Sequence, residues 1–238
     1  MCRVVGIVAR EPRPLRDFLV SAPNSLLHMS LHGKKAPHRH GFGYLWKTEE
    51  GETVVCRYGF ADLDKTPDGF PDPLEAASTL AIGHVRKASP EYDDYSAENA
   101  HPFACDGIYL AHNGGIRDSE VLEYGPGIDS ERLVRWLASH WIPRTPGKLI
   151  AVLSNLIKVS RKFSALNFLM TDGMDLYAFC CFAPDRDGDY YTLRLREGRD
   201  TVIVSSEELD DGPSWVKLKS GELVRVTPKL RVERWLIP

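Results

Sequence analysis

The chain has 238 residues, 43% hydrophobic and 26% charged, which is the composition of an ordinary globular protein able to bury a substantial core. Thirty Lys and Arg against 33 Asp and Glu leave a formal net charge of −3, so charge gives no argument for a nucleic-acid or anionic-membrane partner. No apolar stretch approaches the roughly 18 residues of a membrane span, and MCRVVGIVAREPRP is too short in its apolar part for a signal peptide.

CRVVGIVA reads as a short buried strand at the very N-terminus. PLRDFLVSAPNSLLHMSL is helical in part, with a break at Pro23. A basic, turn-rich segment from His32 to His40 follows, which suits a lid, and leads into strands at GYLWKT and ETVVCRYGF. PLEAASTL has a helical pattern, with Pro73 suited to a first turn. LAIGHVRKAS and IYLAHNGGI each start as apolar strands and end in polar residues, the second in a Gly-Gly turn. Helices are expected over Asp129–Trp141, where Leu133, Trp136, Leu137 and Trp141 recur at helical spacing, and over Lys148–Lys162, where Leu149, Leu153 and Leu156 line one face. From Leu166 onward the pattern is strands: LNFLMTD, LYAFCCF, YYTLRL, TVIVSS, WVKLKS, ELVRVT and LRVERWL. Strands, two helices, then strands predict two stacked sheets with helices outside, and the lack of a linker predicts one domain over 1–238.

Cys2 stands directly behind the initiator methionine. Its side chain is small enough for Met1 to be removed, which would leave a residue carrying both a thiol and a free α-amine. The thiol is a nucleophile, and an α-amine with a pKa of roughly 8 is a candidate general base. The plain alternative is a small buried hydrophobe. The five cysteines form an odd set without metal-ligand spacing, which points to a reducing cytoplasm rather than a disulfide framework. Three predicted strands end in polar clusters: Gly83-His84-Val85-Arg86, Asn99-Ala100-His101-Pro102-Phe103 and His112-Asn113-Gly114-Gly115.

An acyl-transfer site needs oxyanion donors beside its nucleophile. The Asn113 side-chain amide and the Gly114 N–H are candidates, although Asn-Gly-Gly also reads as a hairpin turn. Arg86 has the fork that suits a carboxylate, or a surface ion pair. Asp129 opens a helix as an N-cap or pairs with an ammonium. His28, His32, His38 and His40 lie close together without Cys or acidic ligands, so no metal and no cofactor is expected.

Taken in order, Met-Cys, Gly83-His84-Val85-Arg86, Asn99-Ala100-His101-Pro102, His112-Asn113-Gly114 and Asp129-Ser130-Glu131 resemble the class II glutamine amidotransferases, of the N-terminal nucleophile hydrolase superfamily. The later SSEELDDGPSWVKLKSGELVRV is similar to the stand-alone subgroup, which includes bacterial predicted amidotransferases and γ-glutamyl hydrolases of glutathione and ergothioneine metabolism. The resemblance implies an α+β fold, a four-layer αββα sandwich, with Cys2 as nucleophile and its own amine as base. It implies an oxyanion hole at Asn113 and Gly114, with Arg86 on the substrate α-carboxylate and Asp129 on its α-ammonium. The substrate implied is glutamine or another small γ-glutamyl compound. Any ammonia acceptor is expected on a separate synthase subunit, since the chain stops at Pro238. A non-catalytic γ-glutamyl-ligand sensor is the alternative. Lys87 and Pro90 stand where sugar-phosphate-forming relatives carry an aromatic residue and a histidine, and His40 stands where the stand-alone subgroup often carries Asp.

Overall fold

The computed structural model describes residues 2–33, 35, 37–59, 75–212 and 214–237. In chain order its main elements are β1 (Arg3–Pro14), α1 (Leu26–His32), β2 (Gly41–Lys47), β3 (Thr53–Gly59), β4 (Ala77–Val85), β5 (Phe103–Cys105) and β6 (Ile108–Ser119). They continue with α2 (Asp129–His140), α3 (Pro146–Val159), β7 (Ser160–Thr171), β8 (Leu176–Cys180), the short α4 (Gly188–Tyr191), β9 (Arg194–Glu197), β10 (Thr201–Ser205), β11 (Trp215–Lys217), β12 (Glu222–Val226) and β13 (Val232–Leu236).

β1 is apolar on both faces because each face meets a different core. Val4 and Val8 point into one cluster, Val5 and Ile7 into another, as the two-residue period of a strand dictates. Among the described residues β1 lies in the middle of a seven-stranded antiparallel sheet ordered β11-β9-β10-β1-β4-β2-β3. A six-stranded sheet, β13-β12-β8-β7-β6-β5, faces it. Between them Val4, Val8, Leu80 and Ile82 pack on Ala111, Leu169, Leu176 and Ala178. On the far side of the second sheet, Leu110, Phe168 and Met170 meet Leu133, Trp136 and Leu137 of α2 and Leu149, Leu153 and Leu156 of α3. Outside the first sheet, Val5, Ile7, Phe42 and Tyr44 meet Leu19, Leu26 and Met29. The order of layers is αββα.

The helix expected at PLEAASTL is absent where it is described. Ala77–Leu80 belong to β4, Pro73 and Leu74 lying outside the described residues. Pairing decides this against local propensity: Ala77 faces Pro14 and Ser78 faces Arg13, while the Ser78 hydroxyl bonds the Lys47 and Leu80 main chains. The second long helix starts at Pro146, capped by the Thr145 hydroxyl, and stops at Val159, so Ser160–Lys162 are strand paired to Asp118 and Ser119. Tyr190 and Tyr191, expected in a strand, close α4 instead, which Asp187 caps. No hairpin turn forms at Asn113-Gly114-Gly115, because β6 continues through them beside β7, with a bulge in the pairing between Gly114 and Ile116. Gly114 permits that pairing: a Cβ there would lie 1.9 Å from the Ala165 carbonyl oxygen. Gly43 does the same on the other sheet, where a Cβ would lie 2.0 Å from the His101 oxygen.

Candidate active site

Cys2 precedes β1 and is 5% exposed, its sulfur 3.4 Å from the Lys87 amide nitrogen and 3.8 Å from the Lys87 carbonyl. The next residue is a fully buried arginine. Arg3 donates from Nε to Glu207 at 2.6 Å and from a terminal nitrogen to the Cys2 carbonyl at 3.0 Å, with its guanidinium 4.3 Å from the Tyr190 ring centre. Val4 then bonds Ser206 twice: its N–H donates to the Ser206 hydroxyl at 3.0 Å and its carbonyl accepts from the Ser206 N–H at 3.0 Å. The residues flanking the thiol are therefore anchored at each step.

Arg86 leaves the end of β4 on the same side. Its guanidinium donates to the carbonyls of Asp94 (2.5 Å) and Tyr92 (2.7 Å), which fold the segment after it into a cap. Burial pulls its pKa below the usual value, while Cys2, Asp129 and Asp94 oppose that shift. A guanidinium has five N–H groups, so donors remain for a ligand. His40 braces the same segment by accepting from the Ala88 N–H at 3.0 Å and stacking on Tyr95 at 4.2 Å. Burial lowers the His40 pKa, and the charges of Arg86 and Lys87 lower it further.

Asp129 is the first residue of α2 rather than its N-cap, which is Ile128. One carboxylate oxygen accepts from the Ile116 N–H at 2.8 Å and the other from the Ser130 N–H at 2.8 Å. The helix start is thereby tied to β6 two residues beyond Gly114. The Ser130 hydroxyl lies 2.9 Å from His112 Nδ1, and His112 Nε2 lies 3.2 Å from the Ala165 carbonyl. Behind them His84 donates from Nε2 to the His112 carbonyl at 3.1 Å and stacks on His101 at 4.0 Å. Burial drives the pKa of His84 and His101 well down and lowers that of His112, so all three are neutral at pH 7.

Cys2, Arg86, Gly114 and Asp129 line one small chamber of about 40 Å³, with His101 and His112 in its wall. Through Lys87, Tyr92, Gly114 and Asp129 it shares walls with an outer vestibule of about 510 Å³. The vestibule carries Lys87, Arg117, Lys162 and Arg186 against Glu91 and Asp129, and its aromatic walls are Tyr92, Phe163 and Tyr191. Asn113 stands beside this chamber without lining it. It is fully buried, and its amide contacts the Ser206 hydroxyl at 3.0 Å. Sequence reasoning thus named four residues that the fold brings to one cavity and a fifth that it places behind the wall. It missed Lys87, Tyr92 and Ser206 as site residues. His101 and His112 stood in the polar strand ends that marked the site but received no role. The expected lid is tied down where it is described: the His38 N–H bonds Ser30 and the His40 N–H bonds the Arg86 carbonyl, both by way of backbone oxygens.

The sequence matches the family described as glutamine amidotransferases class-II over residues 25–195, a span that holds Arg86, Asn113, Gly114 and Asp129 but not Cys2. No curated protein matches the chain by sequence. Among solved structures it is similar to a glutamine aminotransferase class-II domain protein from Silicibacter pomeroyi, at 18% identity and a TM-score of 0.64 over the whole of both chains. It is similar to a predicted glutamine amidotransferase from Pseudomonas aeruginosa, at 22% identity and a TM-score of 0.60 over 97% of this chain and 99% of that one. It also matches glutamine phosphoribosylpyrophosphate amidotransferase from B. subtilis, at 18% identity and a TM-score of 0.63, covering all of this chain and 49% of that one. No helix among the described residues is long and apolar enough to cross a membrane.

Proposed function

From the premise that the chain belongs to the class II glutamine amidotransferases, enzymes acting on the amide of glutamine, we propose that it hydrolyses a γ-glutamyl amide through a thioester on Cys2. The observation that carries this reading is the meeting of Cys2, Arg86, Gly114 and Asp129 around one chamber where β1 begins. With Met1 removed, the α-amine takes the thiol proton and the sulfur attacks the γ-carbonyl carbon. The electron pair collects on the carbonyl oxygen, which the Gly114 N–H stabilises together with the Asn113 amide, a group just behind the chamber wall that reaches the oxygen when substrate binding opens it. Collapse expels the amine as it takes up the proton, and water then cleaves the thioester to free glutamate and the thiol. Arg86 holds the substrate α-carboxylate and Asp129 its α-ammonium. At about 40 Å³ the chamber is too small for a whole glutamine, so binding moves the Lys87–Asp94 cap.

The vestibule supports substrates beyond glutamine itself. Its volume of about 510 Å³ far exceeds what ammonia needs, and its cationic rim suits a leaving amine that bears a negative charge. For glutamine, the released ammonia would pass to a separate synthase subunit or, in a free-standing hydrolase, to solvent.

Intact-protein mass after brief exposure to 6-diazo-5-oxo-L-norleucine, followed by peptide mapping, tests the reading. A chain lacking Met1 with one adduct on Cys2, suppressed by excess glutamine, is the expected result. Processed protein with an unmodified Cys2 would instead favour a γ-glutamyl-ligand sensor without catalysis.

A further inference from the structure

Asn113 and Ser206 present a hydrogen-bond imbalance whose resolution assigns a task to Ser206. The Ser206 hydroxyl accepts from the Val4 N–H at 3.0 Å and stands 3.0 Å from one end of the Asn113 amide. With the Asn113 nitrogen at that end, the hydroxyl accepts twice, and its own proton has no acceptor among the described residues. The amide oxygen is then buried without a partner as well. Two unmet groups in a site where both residues are at most 1% exposed is a costly arrangement. The two ends of an amide have nearly the same size and shape, so exchanging them costs no packing. With the oxygen towards Ser206, the hydroxyl donates to it while still accepting from Val4. Every group in the pair is then satisfied except the Asn113 NH₂, which points into the position that has no protein partner.

On these grounds we infer that Ser206 is a positioning residue: it fixes the Asn113 amide with its nitrogen free to donate to the developing oxyanion. The inference rests on the thioester reading above. Ser206 is well placed for this, being held from two further sides. Its N–H donates to the Val4 carbonyl, and its carbonyl accepts from Arg194 at 2.8 Å, a side chain that is itself buried. The same hydroxyl therefore sets the distance between the strand that carries Cys2 and the amide that would face the substrate oxygen. Residues flanking a donor act on rate by holding it in register before the transition state forms.

The test is a double-mutant cycle of Ser206→Ala and Asn113→Ala, read on γ-glutamyl-p-nitroanilide and on glutamine, with rates normalised to the fraction of Cys2 titrated by 6-diazo-5-oxo-L-norleucine. Asn113→Ala should lower kcat by about 10²- to 10³-fold, the usual loss on deleting one oxyanion donor. Ser206→Ala should lower kcat by about 10- to 100-fold with KM within twofold, because the donor is present but no longer oriented. The double variant should be no slower than Asn113→Ala alone, and Ser206→Thr, which keeps the hydroxyl, should recover most of the rate. If the alanine variant does not fold, Ser206→Cys takes its place in the cycle with the same expectation.

A slow Asn113→Ala beside a Ser206→Ala of unchanged kcat would overturn the inference and leave the thioester reading standing. So would losses that multiply in the double variant. A wild-type protein that titrates yet hydrolyses neither substrate would overturn both.

Discussion

The ion pair beside Cys2 sets up a quantitative test of what holds β1 in place. Arg3 and Glu207 have side chains 1% and 8% exposed and meet at 2.6 Å. Glu207→Ala leaves the guanidinium buried and without its counter-charge, a change that typically costs about 3–5 kcal/mol. The lower part of that range applies, because Arg3 keeps the Cys2 carbonyl at 3.0 Å and the Tyr190 ring at 4.3 Å. For a chain of this length the loss corresponds to a drop in Tm of roughly 6–15 °C. Glu207→Gln keeps an acceptor for Nε and loses only the charge, so about 1–3 kcal/mol is expected. Removing both partners, as Arg3→Met with Glu207→Met, takes away the desolvation cost together with the attraction and should fall within about 2 kcal/mol of wild type. Urea denaturation followed by tryptophan fluorescence measures these four proteins and the single variants Arg3→Met and Glu207→Met. If Glu207→Ala costs less than about 1 kcal/mol, or the double change costs the sum of the singles, the pair does not work as argued.

Three other outcomes are expected. Gly114→Ala should cut activity by at least about 100-fold and lower Tm, because its Cβ meets the Ala165 oxygen at 1.9 Å, whereas Gly115→Ala meets nothing closer than Ser164 Oγ at 3.5 Å and should fold normally; equal melting curves would refute the close approach. The buried His84, His101 and His112 have folded-state pKa values below their unfolded value of about 6.5, so the unfolded chain binds the extra protons. Stability is therefore full above about pH 6.5 and falls as pH drops towards the folded values, by up to about 1.4 kcal/mol per pH unit for each histidine, and a Tm flat from pH 7 to 5.5 would contradict this. Lys162→Glu, on the exposed rim of the vestibule, should lower kcat/KM for γ-glutamyl-glycine several-fold while leaving glutamine within about twofold; equal effects on both would remove the case for an anionic leaving group.

Much of the layout could be read from the chain because its periods are clean. The apolar run Val4–Ala9 is a strand buried on both faces, and the spacing of Leu133, Trp136 and Leu137 marks α2. Errors came where pairing overrode local preference. Ala77–Leu80 look helical but are paired to β1, with the Ser78 hydroxyl bonded to Lys47 of β2, and Asn113-Gly114-Gly115 look like a turn but lie within β6. The candidate site was legible as an ordered set of polar strand ends, which is how Arg86, Asn113 and Gly114 stood out, followed by Asp129 at the start of a helix. Ser206 was not, since its meaning depends on contact with Val4, some two hundred residues away, and a serine in TVIVSS carries no local mark. Asn113 shows the same limit from the other side: its identity could be read, but which end of its amide meets the Ser206 hydroxyl is set by what else that distant hydroxyl bonds.

The central place of β1 also has a bearing on timing during synthesis. Its two neighbours in the sheet are β4, which ends at Val85, and β10, which ends at Ser205. At a translation rate of about 5–20 residues per second, roughly 10 to 40 s separate the emergence of Cys2 from that of its second flanking strand. Through that interval one edge of β1 stays open. On the thioester proposal, removal of Met1 has this window, which closes when the C-terminal third of the chain docks. Slow codons or a chaperone holding the strand would lengthen it. On that proposal the exposure of the Cys2 amine is coupled to the order in which the sheet is assembled.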